Sequence, residues 1–157
     1  MPTTRQLAVS GLAPGAVFTA TRTFTAADTQ AFGHLTRDYN PVHYDQEFAG
    51  GKGFSGLICH GLLFTGMICE IGGQLAWLAT GMDFKFLAPV YFGDTVTCRL
   101  TMTSIGAKGR ARAEAVYTNQ DGRQVGSAVL SGRLPEGRDK ERLRQMLAEG
   151  DPTNPLA

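Results

Sequence analysis

Asp38 and His43 stand five residues apart in the stretch Asp38-Tyr39-Asn40-Pro41-Val42-His43. A carboxylate beside an imidazole can hold and activate a water, because an imidazole with a reference pKa of about 6.5 gains or loses a proton near neutrality. On a helix, a gap of five would set the two on different faces. Pro41 disfavours helical geometry at Asn40, so the chain should leave a helix near Asp38 and let both side chains converge. Such a pair is typically worth ~10² to 10⁴ in rate per transferred proton. The same residues also read as a turn-capping Asp38 and a hydrogen-bonded core His43. Asn40 reads either as a turn former or as a residue that orients Asp38.

A second constellation is His60-Gly61. A helix start exposes unpaired backbone N–H groups. A glycine there lets a carbonyl oxygen approach, which suits stabilisation of an oxyanion. Tight packing of a helix on a sheet explains the glycine equally well, and His60 can be a packing residue. Asp38, His43, His60 and Cys59 together could be assembled into a metal site, but no HxxxH or CxxC spacing supports it. Cys59 and His60 are adjacent and do not form a nucleophile dyad. The glycines at 50, 51, 53 and 56 lack the GxxxxGK[ST] pattern of a phosphate loop, and Lys52 among them reads as a surface lysine.

The elements that must position these residues follow from periodicity. Residues 1–24 read as mostly extended. Thr25 is an N-cap with Asp28 three residues on, opening a helix over about Ala26–Thr36 with Phe32 and Leu35 inward. Asp45–Ala49 reads as one helical turn, followed by a glycine loop. A helix from Cys59 to Gly72-Gly73 is apolar almost all round and therefore buried. From Leu75 the period changes to two. Met82, Phe84 and Phe86 alternate, then Val96, Cys98, Leu100 and Met102, then Ala111, Ala113, Ala115 and Tyr117, and Val125–Leu134 completes the sheet after an Asp121-Gly122 hairpin signal. The fold class is α+β, a curved antiparallel sheet around a central helix, with Trp77 in the core. Arg138–Glu149 is a charged helix pattern, and the two-proline tail Asp151–Ala157 reads as frayed.

Composition narrows the function classes. The 157 residues suit one domain, 43% apolar and 18% charged, with a net charge of +1. No block of like charges precedes residue 133, so neither nucleic acid nor a membrane is the expected partner. Residues 1–20 lack the pattern of a signal peptide. Three unevenly spaced cysteines fit reduced thiols and a cytoplasmic location.

The segment Phe32–Ala49 resembles the signature of the MaoC-like, (R)-specific enoyl-CoA hydratase family, Asp-x-Asn-Pro-aliphatic-His followed by an acidic residue and Phe-Ala. Gly56–Leu63 resembles that family's second motif around His-Gly, and Phe84–Val96 its strand-turn-strand segment. The resemblance covers roughly residues 7–134. It implies a hot-dog fold over residues 1–134, with 135–157 as a C-terminal extension, and a homodimer with an acyl-thioester tunnel near the subunit interface. It further implies a hydro-lyase that reversibly adds water, syn, to a trans-2-enoyl thioester of CoA or acyl carrier protein, with no cofactor and no metal. Asp38 and His43 would hold the water, the Gly61 N–H would polarise the thioester carbonyl, and Asn40, His60 and Cys69 would line the substrate. Cys69 stands where some hydratases have a serine, and Arg37 where many members have glycine. A hot-dog thioesterase or a non-catalytic acyl-thioester-binding module are the alternative readings.

Overall fold

Alternation of period two builds the sheet. In β3 (Thr95–Ile105) Val96, Cys98, Leu100 and Met102 are buried, and in β4 (Arg110–Thr118) Ala111, Ala113, Ala115 and Tyr117 are buried. With β1 (Val17–Thr23), β2 (Leu78–Phe86) and β5 (Gln124–Arg133) they form one antiparallel sheet, ordered β1-β3-β4-β5-β2. Facing pairs such as Cys98–Tyr117 and Leu100–Ala115 set large residues beside small ones. This leaves room for helices on the inner face. The computed structural model describes residues 1–156. Ala157, the last residue of the expected extension, lies outside the described residues.

The expected single central helix is two helices, α4 (Gly61–Thr65) and α5 (Ile68–Gln74), the second running past the Gly72-Gly73 pair. The Thr65 hydroxyl donates to the Gly61 carbonyl at 2.8 Å, a back-bond that bends helices. Across the junction, the N–H groups of Met67, Cys69 and Glu70 bond to carbonyls three residues back, as in a 3₁₀ turn. The Thr65 carbonyl released by this tightening accepts from the buried Tyr117 hydroxyl at 2.7 Å. Phe64, Met67, Ile68 and Ile71 pack into the core against the sheet.

Several peripheral expectations are corrected. The N-terminal stretch is not extended throughout. It begins with α1 (Thr4–Ser10), opened by a reciprocal cap in which Thr3 and Gln6 each bond the other's backbone N–H. In α2 (Ala26–Thr36), Thr25 and Asp28 form the expected cap, but Leu35 points outward, because Thr29 and Gly33, four residues apart, form the buried face. Met82 and Phe86 are exposed, since β2 is an edge strand with β5 as its ladder partner. Asp45 caps α3 (Gln46–Gly51), so the glycine loop starts later than expected. No helix among the described residues is long and apolar enough to cross a membrane.

The tail is docked rather than frayed. The helix α6 (Gly137–Ala148) packs on α1 and buries Leu143. Asp151 is 2% exposed and pairs with Arg5 at 3.2 Å, while the Asn154 and Gln74 side-chain amides bond to each other at 3.0 Å in both directions. Removing one partner of a buried ion pair leaves a charge without compensation. Arg5→Ala is therefore expected to lower unfolding free energy by about 2 to 3 kcal/mol, below the full cost because the guanidinium keeps some contact with water. Urea denaturation read by far-ultraviolet circular dichroism checks this, and an unchanged midpoint would assign the tail no stabilising role.

Candidate active site

Local backbone chemistry brings Asp38 to the site. The helix α2 ends at Arg37, whose φ of 59° is the left-handed conformation that glycine adopts most easily. The strained residue is thus the one standing where the resemblance expects glycine. Beyond it, Asp38 Oδ1 accepts the Asn40 N–H at 3.2 Å and the Asn40 side chain accepts the Val42 N–H at 3.3 Å. Asn40 therefore caps the 3₁₀ turn Pro41–His43 and does not line the cavity described below. The Tyr44 hydroxyl reaches the carbonyls of Asp38 and Thr29, both at 3.4 Å, through the space left by the missing Cβ of Gly33.

His43 is buried, with Nδ1 2.7 Å from the Ile58 carbonyl. A carbonyl only accepts, so Nδ1 carries the proton and Nε2 keeps its lone pair. The reading of His43 as a hydrogen-bonded core residue holds for Nδ1, while Nε2 has no hydrogen-bond partner among the described residues. His60, 1% exposed, stacks its ring on that of His43 with centroids 3.8 Å apart and planes at 31°. Its Nε2 donates to the Asp38 carbonyl at 3.0 Å and lies 3.8 Å from Asp38 Oδ2, while Nδ1 has no hydrogen-bond partner among the described residues. One oxygen of Asp38 and one ring nitrogen from each histidine lie within 4.8 Å of one another. Cys59 is not in this group, and burial pushes its thiol up to about 11, far from a nucleophilic thiolate.

A cavity of about 660 Å³ opens onto this cluster and is lined chiefly by apolar groups, including Phe54, Ile58, Phe64, Phe86 and Val90, together with Asp38, His43 and Gly61. Gly61 is the first residue of α4, and its N–H donates to no backbone or side-chain acceptor among the described residues. The Phe86 ring sits where a Cβ on Gly61 would stand, 2.7 Å from that position. Cys69 lines a separate apolar cavity with Trp77 and Met82, so the expected contact with the Asp38–His43 region is not made. Lys52 is 5.5 Å from the centroid of the Phe48 ring, in keeping with a surface lysine. Sequence reasoning missed the His43–His60 stack, the Tyr44 buttress and the Phe86–Gly61 contact.

Burial, more than the nearby His60, holds the His43 pKa below its usual value, against the opposing effects of the Ile58 bond and Asp38. The imidazole therefore stays neutral to lower pH in the folded chain than in the unfolded one. Between the two values the unfolded chain binds more protons, so stability should fall as pH drops below about 6.5. Nuclear magnetic resonance titration of the ring protons is expected to give a His43 midpoint below that of free imidazole. A midpoint at or above 6.5 would contradict the desolvation argument.

The model of the MaoC like domain family matches residues 11–123. The (R)-specific enoyl-CoA hydratases of Aeromonas caviae and Rhodospirillum rubrum are 34% and 33% identical to the chain, over 86 and 88 residues. Those matches cover 52% and 54% of this chain, and the chain spans 64% and 61% of the two relatives' own lengths. The solved R-hydratase PhaJ1 from Pseudomonas aeruginosa, in its unliganded form, superposes with a TM-score of 0.75 at 27% identity. That superposition covers 82% of this chain and 86% of that one. The fold is accordingly the hot-dog fold, in the α+β class.

Proposed function

Because the chain belongs to the MaoC-like domain family, we propose that it is an (R)-specific enoyl-thioester hydratase, equivalently a 3-hydroxyacyl-thioester dehydratase, acting through Asp38, His43 and Gly61. The observation that carries this reading is the His43 imidazole, its Nδ1 bound to the Ile58 carbonyl and its Nε2 left without a hydrogen-bond partner among the described residues, gathered with the Asp38 carboxylate within 4.8 Å at the wall of an apolar cavity. Asp38 and His43 have no direct hydrogen bond, so a water can sit between them. In hydration the pair takes a proton from that water as it attacks C3 and a proton is delivered to C2. The Gly61 N–H meets the oxygen on which negative charge develops. His60, buried behind His43, acts by holding the Asp38 backbone and the His43 ring in place.

The substrate is an acyl-CoA or acyl-carrier-protein thioester, and the reaction so drawn uses no cofactor and no metal. Loss of conjugated-alkene absorbance from a short trans-2-enoyl-CoA tests the reading. Release of free thiol without loss of the alkene would replace hydration by thioester hydrolysis. Binding of the thioester with neither change would leave a non-catalytic module.

A homodimer completes the proposal. The edge strand β2 and its surroundings expose Leu78, Met82, Phe86, Leu87 and Leu62, an apolar margin that a monomer would leave in water. Sedimentation equilibrium should give a mass near twice 16.8 kDa. A monomeric mass at micromolar concentration would remove this part.

A further inference from the structure

Three arginines meet on the outer face of the sheet, at the opposite end of β2 from the Asp38 cavity. Arg110 and Arg133 are directly opposite in the β4–β5 ladder, and Arg112 follows two residues on along β4, on the same face. By strand geometry, facing Cα atoms are about 5 Å apart and i, i+2 neighbours about 7 Å. All three guanidinium groups are therefore within reach of one small ligand. Like charges directly opposite in a ladder are destabilising. Yet none of the three has an ion-pair or side-chain hydrogen-bond partner among the described residues, whereas Arg5, Arg22, Arg142 and Arg144 each reach a carboxylate. Glu114, two residues beyond Arg112 on that face, makes no ion pair with it.

Hydroxyls complete the surface. Ser131 and Ser104 flank Arg112 in register on β5 and β3. The ladder slips by one residue between Ala79 and Gly81 and again between Met102 and Ser104, and such bulges re-aim side chains. Thr80, at the first slip, has its hydroxyl 3.5 Å from that of Ser131. The result is a groove of about 640 Å³ lined by Arg110, Arg112, Arg133 and these hydroxyls, with no carboxylate in its wall.

We propose that this groove is a phosphate-binding site, in which the arginine forks grip phosphate oxygens and the Ser and Thr hydroxyls donate to those left over. Guanidinium planes match phosphate in bidentate geometry, and a bound anion turns the Arg110–Arg133 repulsion into attraction. Two sources supply this chemistry, a free inorganic phosphate or diphosphate and the 3′-phosphorylated adenosine diphosphate end of CoA. Only the second source rests on the hydratase reading.

Calorimetric titration of the full chain at low salt tests the site with pyrophosphate, 3′-phosphoadenosine 5′-diphosphate and adenosine as probes. Both anions should bind and adenosine should not. Arg112→Gln combined with Arg133→Gln should weaken anion binding by roughly tenfold or more, with the thermal midpoint unchanged or raised. Equal affinity for the two anions identifies free diphosphate as the source, and a preference for the nucleotide identifies CoA. No heat with either anion, the same affinity in the double variant, or binding of an acidic polypeptide alone would overturn the proposal. Turnover of a short thioester lacking a nucleotide, expected to be equal in wild type and double variant, reports on the hydratase reading separately.

Discussion

Asp38→Asn and His43→Ala are each expected to reduce the hydration rate of a short trans-2-enoyl-CoA by ~10² to 10⁴, the usual worth of one positioned proton-transfer group. Asp38→Asn preserves volume, and the side chain it alters is 49% exposed, so the fold should tolerate it. The amide can still accept the Asn40 N–H through its oxygen, so the turn is retained while the carboxylate charge is lost. His43→Ala removes a buried ring and the bond to Ile58, which adds a packing cost. His43→Gln, which can keep a donor near Ile58 but has no proton-accepting imidazole nitrogen, separates the chemical loss from the structural one. If the pair holds one water between its members, the double variant should be little worse than the slower single variant, because groups that act as a unit are non-additive. Initial rates from alkene absorbance, with unfolding midpoints measured in parallel, decide the matter. Full activity in both single variants would remove these residues from the reaction.

The local structure around this pair was legible at short range and hidden at long range. The extended turn that carries Asn40 into the Pro41–His43 helical turn followed from Pro41, a local steric rule, whereas the end of α2 is set earlier, by the left-handed Arg37. The buried faces of β3 and β4 followed from period two for the same reason, since alternation is a property of the strand itself. The stack of His43 on His60 was beyond such reasoning. It joins residues 17 positions apart, and only the bonds from Ile58 and Asp38 to the two rings reveal why both lie flat together.

Other misses divide by cause. The α1 cap was legible, as Thr3 and Gln6 have the spacing of a reciprocal cap, but the short helix after it carries a weak apolar pattern. The break between α4 and α5 was not legible from hydrophobicity, which is uniform across it. It depends on a hydroxyl of Thr65 and on the distant Tyr117, whose hydroxyl donates to the Thr65 carbonyl. Leu35 points outward because Tyr44, in a later segment, claims the space over Gly33. Cys69 was placed by position in a motif, and it falls in α5 beyond the break, where it lines a cavity that does not include Asp38.

Gly61→Pro should cost a further ~10² to 10³ in rate beyond Gly61→Ala, the range associated with removing one donor to a developing oxyanion. The position is unusually suited to the experiment. Gly61 is the first residue of α4, where proline is well accommodated because its missing N–H has no helical partner. The preceding residue, His60, has φ −59° and ψ 137°, the extended geometry that a following proline requires. Any Cβ at this position displaces the Phe86 ring, so alanine and proline share that disturbance. Only proline also deletes the N–H. The ratio of the two rates therefore isolates the donor, provided the unfolding midpoints of the variants agree. Phe86→Ala in both backgrounds relieves the shared contact and should leave the ratio intact. Equal rates for the alanine and proline variants would show that the thioester oxygen is stabilised by another group, and would detach Gly61 from the chemistry while leaving Asp38 and His43 in place.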